Sequence, residues 1–104
     1  MGKLKSKRSK ATDIPIKVRD AVYDRDNGIC IICKQRAGAP NMHYIPRSRG
    51  GLGIERNIAC GCIKCHHDYD NGNKHAEYGL IIRKYLQSHY LDWQEKDLIY
   101  NKYK

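Results

Sequence analysis

The chain has 104 residues, the length of one small domain, and its apolar core must be thin, since 40% of the residues are hydrophobic and phenylalanine is absent. Its formal net charge is +9, and no apolar run approaches the roughly 18 residues of a membrane-spanning helix. No apolar segment follows the first positive charges, as it would in a secretory signal. These features exclude a membrane protein and predict an intracellular protein that binds a polyanion, most simply nucleic acid.

The positive charge is concentrated in two segments. Residues 1–12 contain five positive side chains and no negative one, and residues 34–67 contain six positive side chains with Glu55 as the one negative. Because residues 1–12 are small, basic and polar, they are predicted to form a disordered arm that contacts DNA, with a solubilising tail as the alternative. Residues 13–104 are predicted to form a single domain, with a core over about 28–72 and C-terminal helices over about 75–104.

The predicted elements follow one another along this domain. A leading helix is predicted in "TDIPIKVRDAVYDRDNG", where Thr12 or Asp13 can cap the first turn and Gly28 ends the helix. "MHYIP" and "NIACG" are predicted strands joined by the glycine-rich loop "RSRGGLGIERN", and "CIKCHHDYDNG" runs into a short helix. Residues 75–90 are amphipathic at helical spacing, and residues 92–95 resemble a capping box that opens a last helix. The predicted class is α+β, with one leading and two trailing helices.

The five cysteines form two Cys-x-x-Cys pairs and leave one residue over. Cys30 and Cys33 make the first pair, Cys62 and Cys65 make the second, and Cys60 is the extra residue. Four thiolates in two tight turns suit tetrahedral zinc with no open position, so the predicted zinc site is structural. The redox alternative expects one such pair within a βαβ pattern, which the sequence lacks. Cys60 is interpreted as a small buried strand residue.

A histidine in the first predicted strand, His43, should face the segment that follows the second cysteine pair. If that segment is helical, His66 and Asp70 lie on one face, whereas His67 points about 100° away. Three nearby arginines are predicted to hold phosphate: Arg47, Arg49 and Arg56. A lone strand histidine is more often a packing residue, but a base opposite a metal-binding helix face suits phosphodiester hydrolysis. His75 and His89 are interpreted as ordinary helix residues.

The ordered set "CIIC", "MHYIPRSRGG" and "IERNIACGCIKCHH" resembles the HNH endonuclease family over residues 18–72. The resemblance implies a small zinc-stapled ββα-metal core that hydrolyses DNA to 5′-phosphate and 3′-hydroxyl ends. It implies that His43 is the general base, that Asn57 holds the loop of the base, and that His66 binds a catalytic Mg²⁺ or Mn²⁺. The cysteine ligands of the structural zinc are then Cys30, Cys33, Cys62 and Cys65.

The sequence departs from this family at Met42, where relatives carry Asp or His as a second ligand of the cation. A thioether binds magnesium or manganese poorly, so Asp70 is the first substitute and His67 the second. "HYIPRSRGGLGIE" and "YDNG" are similar to the sequences of small phage-associated members of the family. This similarity implies that the protein acts in the cytoplasm of a bacterial or phage-infected cell. It also implies phage packaging or other DNA-processing proteins as partners. Two alternatives stay open: a zinc-ribbon DNA-binding module weakened as a catalyst, and a nuclease subunit active only within a larger phage complex.

Overall fold

The computed structural model describes residues 6–101, which fold around a two-stranded antiparallel sheet. In chain order the elements are α1 (Lys7–Thr12), α2 (Ile16–Asp26), β1 (Ala39–His43), β2 (Ile58–Gly61), α3 (Ile63–Asp70) and α4 (His75–His89). Single turns of 3-10 helix cover Arg47–Arg49 and Glu95–Leu98. The predicted α+β class is therefore confirmed. Within the described residues, no helix has the length and apolar character that crossing a membrane requires.

The two strands present opposite faces of the sheet to different parts of the core. Met42 pairs with Ala59, and His43 pairs with Ile58. Paired residues share a face and successive residues alternate, so Met42 and Ala59 lie on one face and His43 and Ile58 on the other. The first pair is buried in the main apolar core, whereas Ile58 packs against Val22 of α2. Strand alternation thus separates Met42 from His43.

β1 contains one irregularity, a β-bulge next to His43. Ala39 pairs with Gly61 and Met42 pairs with Ala59, so β1 has one residue more than β2 between these two pairs. An extra residue of this kind breaks the alternation and redirects a side chain. Asn41 lies within the bulge.

The N-terminal segment differs from the prediction for residues 1–12. Its described part forms α1 and is not a disordered arm. Tertiary contacts explain the difference: the Arg8 guanidinium donates to the carbonyl of Ser48 at 2.9 Å, and the Gly53 N–H donates to the carbonyl of Ala11 at 2.9 Å. These bonds attach α1 to the loop between the strands and offset the entropy lost in ordering the segment. The first five residues of the predicted arm lie outside the described residues.

The leading helix, α2, also begins differently from the prediction. Thr12 and Asp13 were expected to cap it, but Thr12 ends α1 and Asp13 is the C-cap of α1. Pro15 precedes the first turn of α2, and no side chain caps that end. The C-terminal end agrees with the prediction, because Asn27 adopts a left-handed conformation at φ 58° and Gly28 follows it at φ 64°.

Of the two predicted trailing helices, α4 is confirmed and the second is only the 3-10 turn over Glu95–Leu98. The expected capping box does not form, since no side chain caps the turn at Gln94. Trp93 is buried and donates its indole N–H to the carbonyl of Arg56 at 2.7 Å. Glu95, the expected capping carboxylate, instead accepts a hydrogen bond from Tyr44. These tertiary contacts hold the segment against the core.

Candidate metal centre and catalytic cleft

The four paired cysteines converge at one point of the molecule. The ligand atoms of Cys30, Cys33, Cys62 and Cys65 all lie within 4.8 Å of one another, and the sulfurs of Cys33 and Cys62 are 4.0 Å apart. Thiolates about 2.3 Å from a tetrahedral zinc ion are about 3.8 Å from each other. The cluster therefore fits a structural metal ion such as zinc. All five cysteines of the chain are free of disulfides.

One cysteine of each pair, Cys33 and Cys62, has a pKa below its ordinary value, whereas burial raises the pKa of Cys65. In the first pair, the backbone N–H of Gln35 lowers the pKa of Cys33 to about 6, which favours the thiolate. In the second pair, Cys62 is the N-cap of α3, and its sulfur accepts from the backbone N–H of Cys65 at 3.4 Å. Cys60 is fully buried in β2, and burial raises the pKa of its thiol to about 12. Its interpretation as a buried strand residue is confirmed.

A second feature, a polar cleft of about 510 Å³, lies beside the metal centre. Residues from five separate segments line it, and its polar side chains include Arg19, Asn41, His43, Arg47, His66 and Asp70. β1 provides His43 and Asn41, and α3 provides His66 and Asp70. The fold thus brings together the predicted base and the predicted face of the metal-binding helix.

His43 is held in this cleft by the end of α1. Its Nε2 lies 2.9 Å from the carbonyl oxygen of Thr12, and the residue is only 8% exposed. A carbonyl oxygen only accepts hydrogen bonds, so Nε2 carries the proton of the neutral ring and Nδ1 is the basic nitrogen. Burial lowers the pKa of His43 below its ordinary value of 6.5; Arg47 acts in the same direction, and the Thr12 carbonyl opposes the shift. The imidazole is therefore neutral at pH 7.

Asn57 is fully buried and fastens the loop that follows His43. Its side-chain oxygen accepts from the Ile45 N–H at 2.8 Å, and its amide group donates to the carbonyls of Ile45 at 3.1 Å and Leu52 at 2.8 Å. The loop is also closed tightly on itself, because a Cβ on Gly51 would lie 1.6 Å from the Ile45 carbonyl oxygen. The glycine is thus required by the packing of the loop itself.

His66 and Asp70 form the pair expected from their spacing on α3. His66 Nε2 and Asp70 Oδ2 are 2.9 Å apart, and both side chains are partly exposed. Adjacent ligands about 2.1 Å from an octahedral Mg²⁺ are about 3.0 Å apart, so this pair fits two neighbouring positions around such an ion. Within the described residues, however, the cysteine cluster is the one group of three or more His, Cys, Asp or Glu side chains close enough to share a metal ion. His66 and Asp70 therefore have no third His, Cys, Asp or Glu ligand atom close to both of them within the described residues.

The other two residues considered for the cation do not line the cleft. The side chain of His67 is 68% exposed and lies 3.8 Å from Asp68 on the surface. Met42 is fully buried and packs in the main core, on the sheet face opposite His43. Strand geometry therefore keeps the position that departs from the HNH pattern away from the cleft.

The three predicted phosphate-binding arginines occupy different surroundings. Arg47 lines the cleft and forms an ion pair with Asp13. Arg49 lines a neighbouring depression of about 280 Å³. Arg56 pairs with Asp92 at 2.8 Å and stacks over Tyr90, with 5.1 Å between the guanidinium carbon and the ring centroid. Of the three, only Arg47 contributes to the lining of the cleft.

Other residues that line the cleft, among them Arg19, His75 and Asn41, were not predicted from the sequence. Arg19 of α2 and His75 of α4 both line it, although His75 was interpreted as an ordinary helix residue. His75 also donates from Nδ1 to the Tyr69 carbonyl at 3.0 Å and stacks on the Tyr69 ring. Asn41 has a side-chain oxygen that is buried without a hydrogen-bond partner among residues 6–101. Strand alternation is the signal that could have found Asn41, because it places this residue on the same face of β1 as His43.

Comparison of the chain with family models finds no match, and comparisons with curated proteins and with solved structures find none either. The functional conclusion therefore depends on the geometry of the metal centre and the cleft, together with the resemblance to HNH endonucleases in the ordered motifs.

Proposed function

We propose that the protein is a metal-dependent DNA endonuclease of the HNH type, in which His43 activates water and a divalent cation binds at His66 and Asp70. One observation carries the proposal: a buried neutral histidine and a histidine–carboxylate pair at ligand spacing line the same cleft. β1 and α3 supply these groups independently. A base opposite a cation site is the arrangement that hydrolysis of a phosphodiester requires.

His43 acts as the general base through Nδ1. The Thr12 carbonyl keeps the proton on Nε2, so Nδ1 has a free lone pair that can take a proton from a water molecule. The lowered pKa of His43 keeps the ring neutral at physiological pH. Asn57 holds the backbone at Ile45, two residues after the base, and thereby restricts the movement of His43 relative to a bound phosphate.

The cation site of the proposal fits Mg²⁺ or Mn²⁺, because one imidazole nitrogen and one carboxylate oxygen leave several positions for water and phosphate oxygens. A bound cation stabilises the negative charge that develops on the departing 3′ oxygen. His66 and Asp70 would hold the cation on α3. The cysteine cluster lies at the N-terminal end of this helix. The structural metal ion would thus hold the cation-binding helix in place against the turn that contains Cys30 and Cys33.

The charge around the cleft suits a DNA backbone. Arg19 and Arg47 line the cleft itself, and Arg49 lines the adjoining depression. A guanidinium can hold a phosphate through two parallel hydrogen bonds. The net charge of +9 would draw a polyanion toward this surface.

The proposal is tested by cleavage of plasmid DNA with purified zinc-loaded protein in Mg²⁺ or Mn²⁺. We expect His43→Ala and His66→Ala to lose activity by about 100-fold or more, while DNA affinity is retained. His67→Ala is the matched control, since His67 neighbours His66 on α3 but points to solvent. DNA binding without cleavage by the wild-type protein, under every metal condition, would overturn the proposal and favour the non-catalytic DNA-binding module.

A further inference from the structure

We infer that Asn41 is a third protein ligand of the cation, binding through its side-chain oxygen beside His66 and Asp70. The inference rests on the proposed cation site and adds a residue that neither the spacing of the motifs nor the resemblance assigns. It also identifies how the chain compensates for Met42, whose side chain lies in the core.

The first observation is the unsatisfied oxygen of Asn41. Its Oδ1 is buried and has no hydrogen-bond partner within the described part of the chain, and it is the one buried side-chain oxygen or nitrogen there in this condition. Buried polar atoms are nearly always paired, because an unpaired one is destabilising. A cation bound in the cleft would give Asn41 Oδ1 the partner that the described residues do not provide.

The second observation is the position of Asn41 in β1. Asn41 and His43 are two residues apart, so strand alternation places them on one face of β1 and Met42, between them, on the other. Asn41 and His43 accordingly line the same cleft, whereas Met42 lies in the core. The extra residue of β1 falls between the Ala39–Gly61 and Met42–Ala59 pairs, and bulges of this kind are frequent next to active sites.

The third observation is that Asn41 and His66 line the same two concavities. An apolar depression of about 450 Å³ adjoins the catalytic cleft, and Asn41 and His66 are the two residues that line both. Asn41 thus belongs to the part of the cleft lining that also contains His66, whose Nε2 lies 2.9 Å from Asp70 Oδ2.

The chemistry of the three groups suits the cations of the proposal. Mg²⁺ and Mn²⁺ prefer oxygen ligands, and an amide oxygen is an accepted neutral one. Imidazole, carboxylate and amide together provide a single negative charge, so water and phosphate oxygens must complete the shell. A site of this kind binds its cation weakly without DNA and more tightly when a phosphate is present.

The inference is tested by titrating Mn²⁺ into the zinc-loaded full chain without DNA and measuring free Mn²⁺ by electron paramagnetic resonance. Asn41→Asp replaces a neutral oxygen with a charged one and should lower the Kd about tenfold, equivalent to about 1.4 kcal/mol. Asn41→Leu removes the oxygen and should raise the Kd by a similar factor. Asn73→Asp controls for added negative charge, since Asn73 is exposed and does not line the cleft.

The outcomes separate this inference from the proposed function. His66→Ala and Asp70→Asn identify the site, because each should abolish the binding of one Mn²⁺. If they do so while both Asn41 variants bind Mn²⁺ as the wild type does, Asn41 is not a ligand and the cation site still stands. If no Mn²⁺ binding depends on His66, both the site and the inference are wrong. Circular dichroism and zinc content verify that each variant is folded. If Asn41→Leu unfolds, the Kd of Asn41→Asp for Mn²⁺ decides whether Asn41 is a ligand.

Discussion

The carbonyl oxygen of Thr12 lies 2.9 Å from Nε2 of His43, so the last residue of α1 determines which nitrogen of the proposed base carries the proton. α1 is fastened to the opposite loop by Arg8 and by the Ala11–Gly53 hydrogen bond. The close approach of the two segments requires glycine, since a Cβ on Gly53 would lie 1.8 Å from the carbonyl oxygen of Asp13. The basic N-terminal segment is thus part of the site as well as a source of positive charge.

Deleting residues 2–11 should therefore reduce turnover as well as DNA affinity. Loss of α1 frees the Thr12 carbonyl, and misplacement of His43 by even a small distance should lower kcat by about 10- to 100-fold. The matched control replaces Lys7 and Lys10 with alanine, which removes two exposed charges of α1 and preserves the helix. This control should keep kcat and reduce the salt dependence of binding. Equal kcat values for the deletion and the control would contradict a role for α1 in positioning the base.

The pH dependence of kcat should show a base that titrates below 6.5. Burial and the charge of Arg47 lower the pKa of His43, and His66 acts in the same direction, whereas the Thr12 carbonyl and Asp70 oppose the shift. The neutral ring is the active form, so kcat rises with pH through the lowered pKa and is level above it. More than half of the plateau rate should therefore remain at pH 6.5.

Arg47→Gln provides the check on that assignment. Removing the positive charge should move the inflection of the kcat profile toward higher pH, because the protonated imidazole is then repelled less. Single-turnover rates between pH 5 and pH 8 would measure the shift. If the inflection stays at the same pH in Arg47→Gln and also persists in His43→Ala, the titration belongs to another group.

Substitution at Met42 should damage the fold without improving cation binding. Met42 is fully buried in the apolar core, so Met42→Asp would bury a carboxylate without a partner, at a cost of several kcal/mol. Met42→Leu preserves volume and should cost less than about 1.5 kcal/mol. Urea unfolding of the zinc-loaded variants measures both values. A stable Met42→Asp protein with tighter Mn²⁺ binding would show that position 42 reaches the cleft after all.

The cysteine cluster can be tested against an internal control. Cys33→Ser and Cys65→Ser should each lose the tightly bound metal ion and the cooperative unfolding transition together, because the thiolates close the site. Cys60→Ser should keep one bound metal ion, since Cys60 is buried in β2 and is not among the clustered ligands. Zinc content and thermal unfolding would show whether the loss is specific to the four clustered cysteines. Retention of one zinc ion in Cys33→Ser would exclude the four-cysteine site.

Local spacing accounts for the parts of the structure that the sequence predicted well. The two Cys-x-x-Cys turns, the strands around His43 and Ile58, and the four-residue spacing of His66 and Asp70 all depend on neighbours along the chain. Such features follow from turn geometry and from the 3.6-residue period of a helix. They were sufficient to place the predicted base and the predicted helix face in one cleft.

The remaining features depend on contacts between distant residues. α1 is ordered by its contacts with the loop near Gly53. The contact of Thr12 with His43 is made by a backbone carbonyl, which every residue type has, so the sequence contains no signal for it. Strand alternation places Asn41 on the face of His43, but the burial of its side-chain oxygen without a partner depends on the tertiary packing around it. Glu95 fitted a capping box by spacing but pairs with Tyr44, because tertiary packing outweighed the local motif.

The most direct test of the central claim uses DNA in which the 3′ oxygen of the scissile bond is replaced by sulfur. Sulfur leaves readily and needs little stabilisation by a cation, so this substrate separates the role of His43 from that of His66 and Asp70. Single-turnover cleavage by His66→Ala and Asp70→Asn should be slow on normal DNA and approach the wild-type rate on the sulfur substrate, whereas His43→Ala should remain slow on both. Rescue of His43→Ala by sulfur, without rescue of His66→Ala, would contradict the assignment of base and cation site.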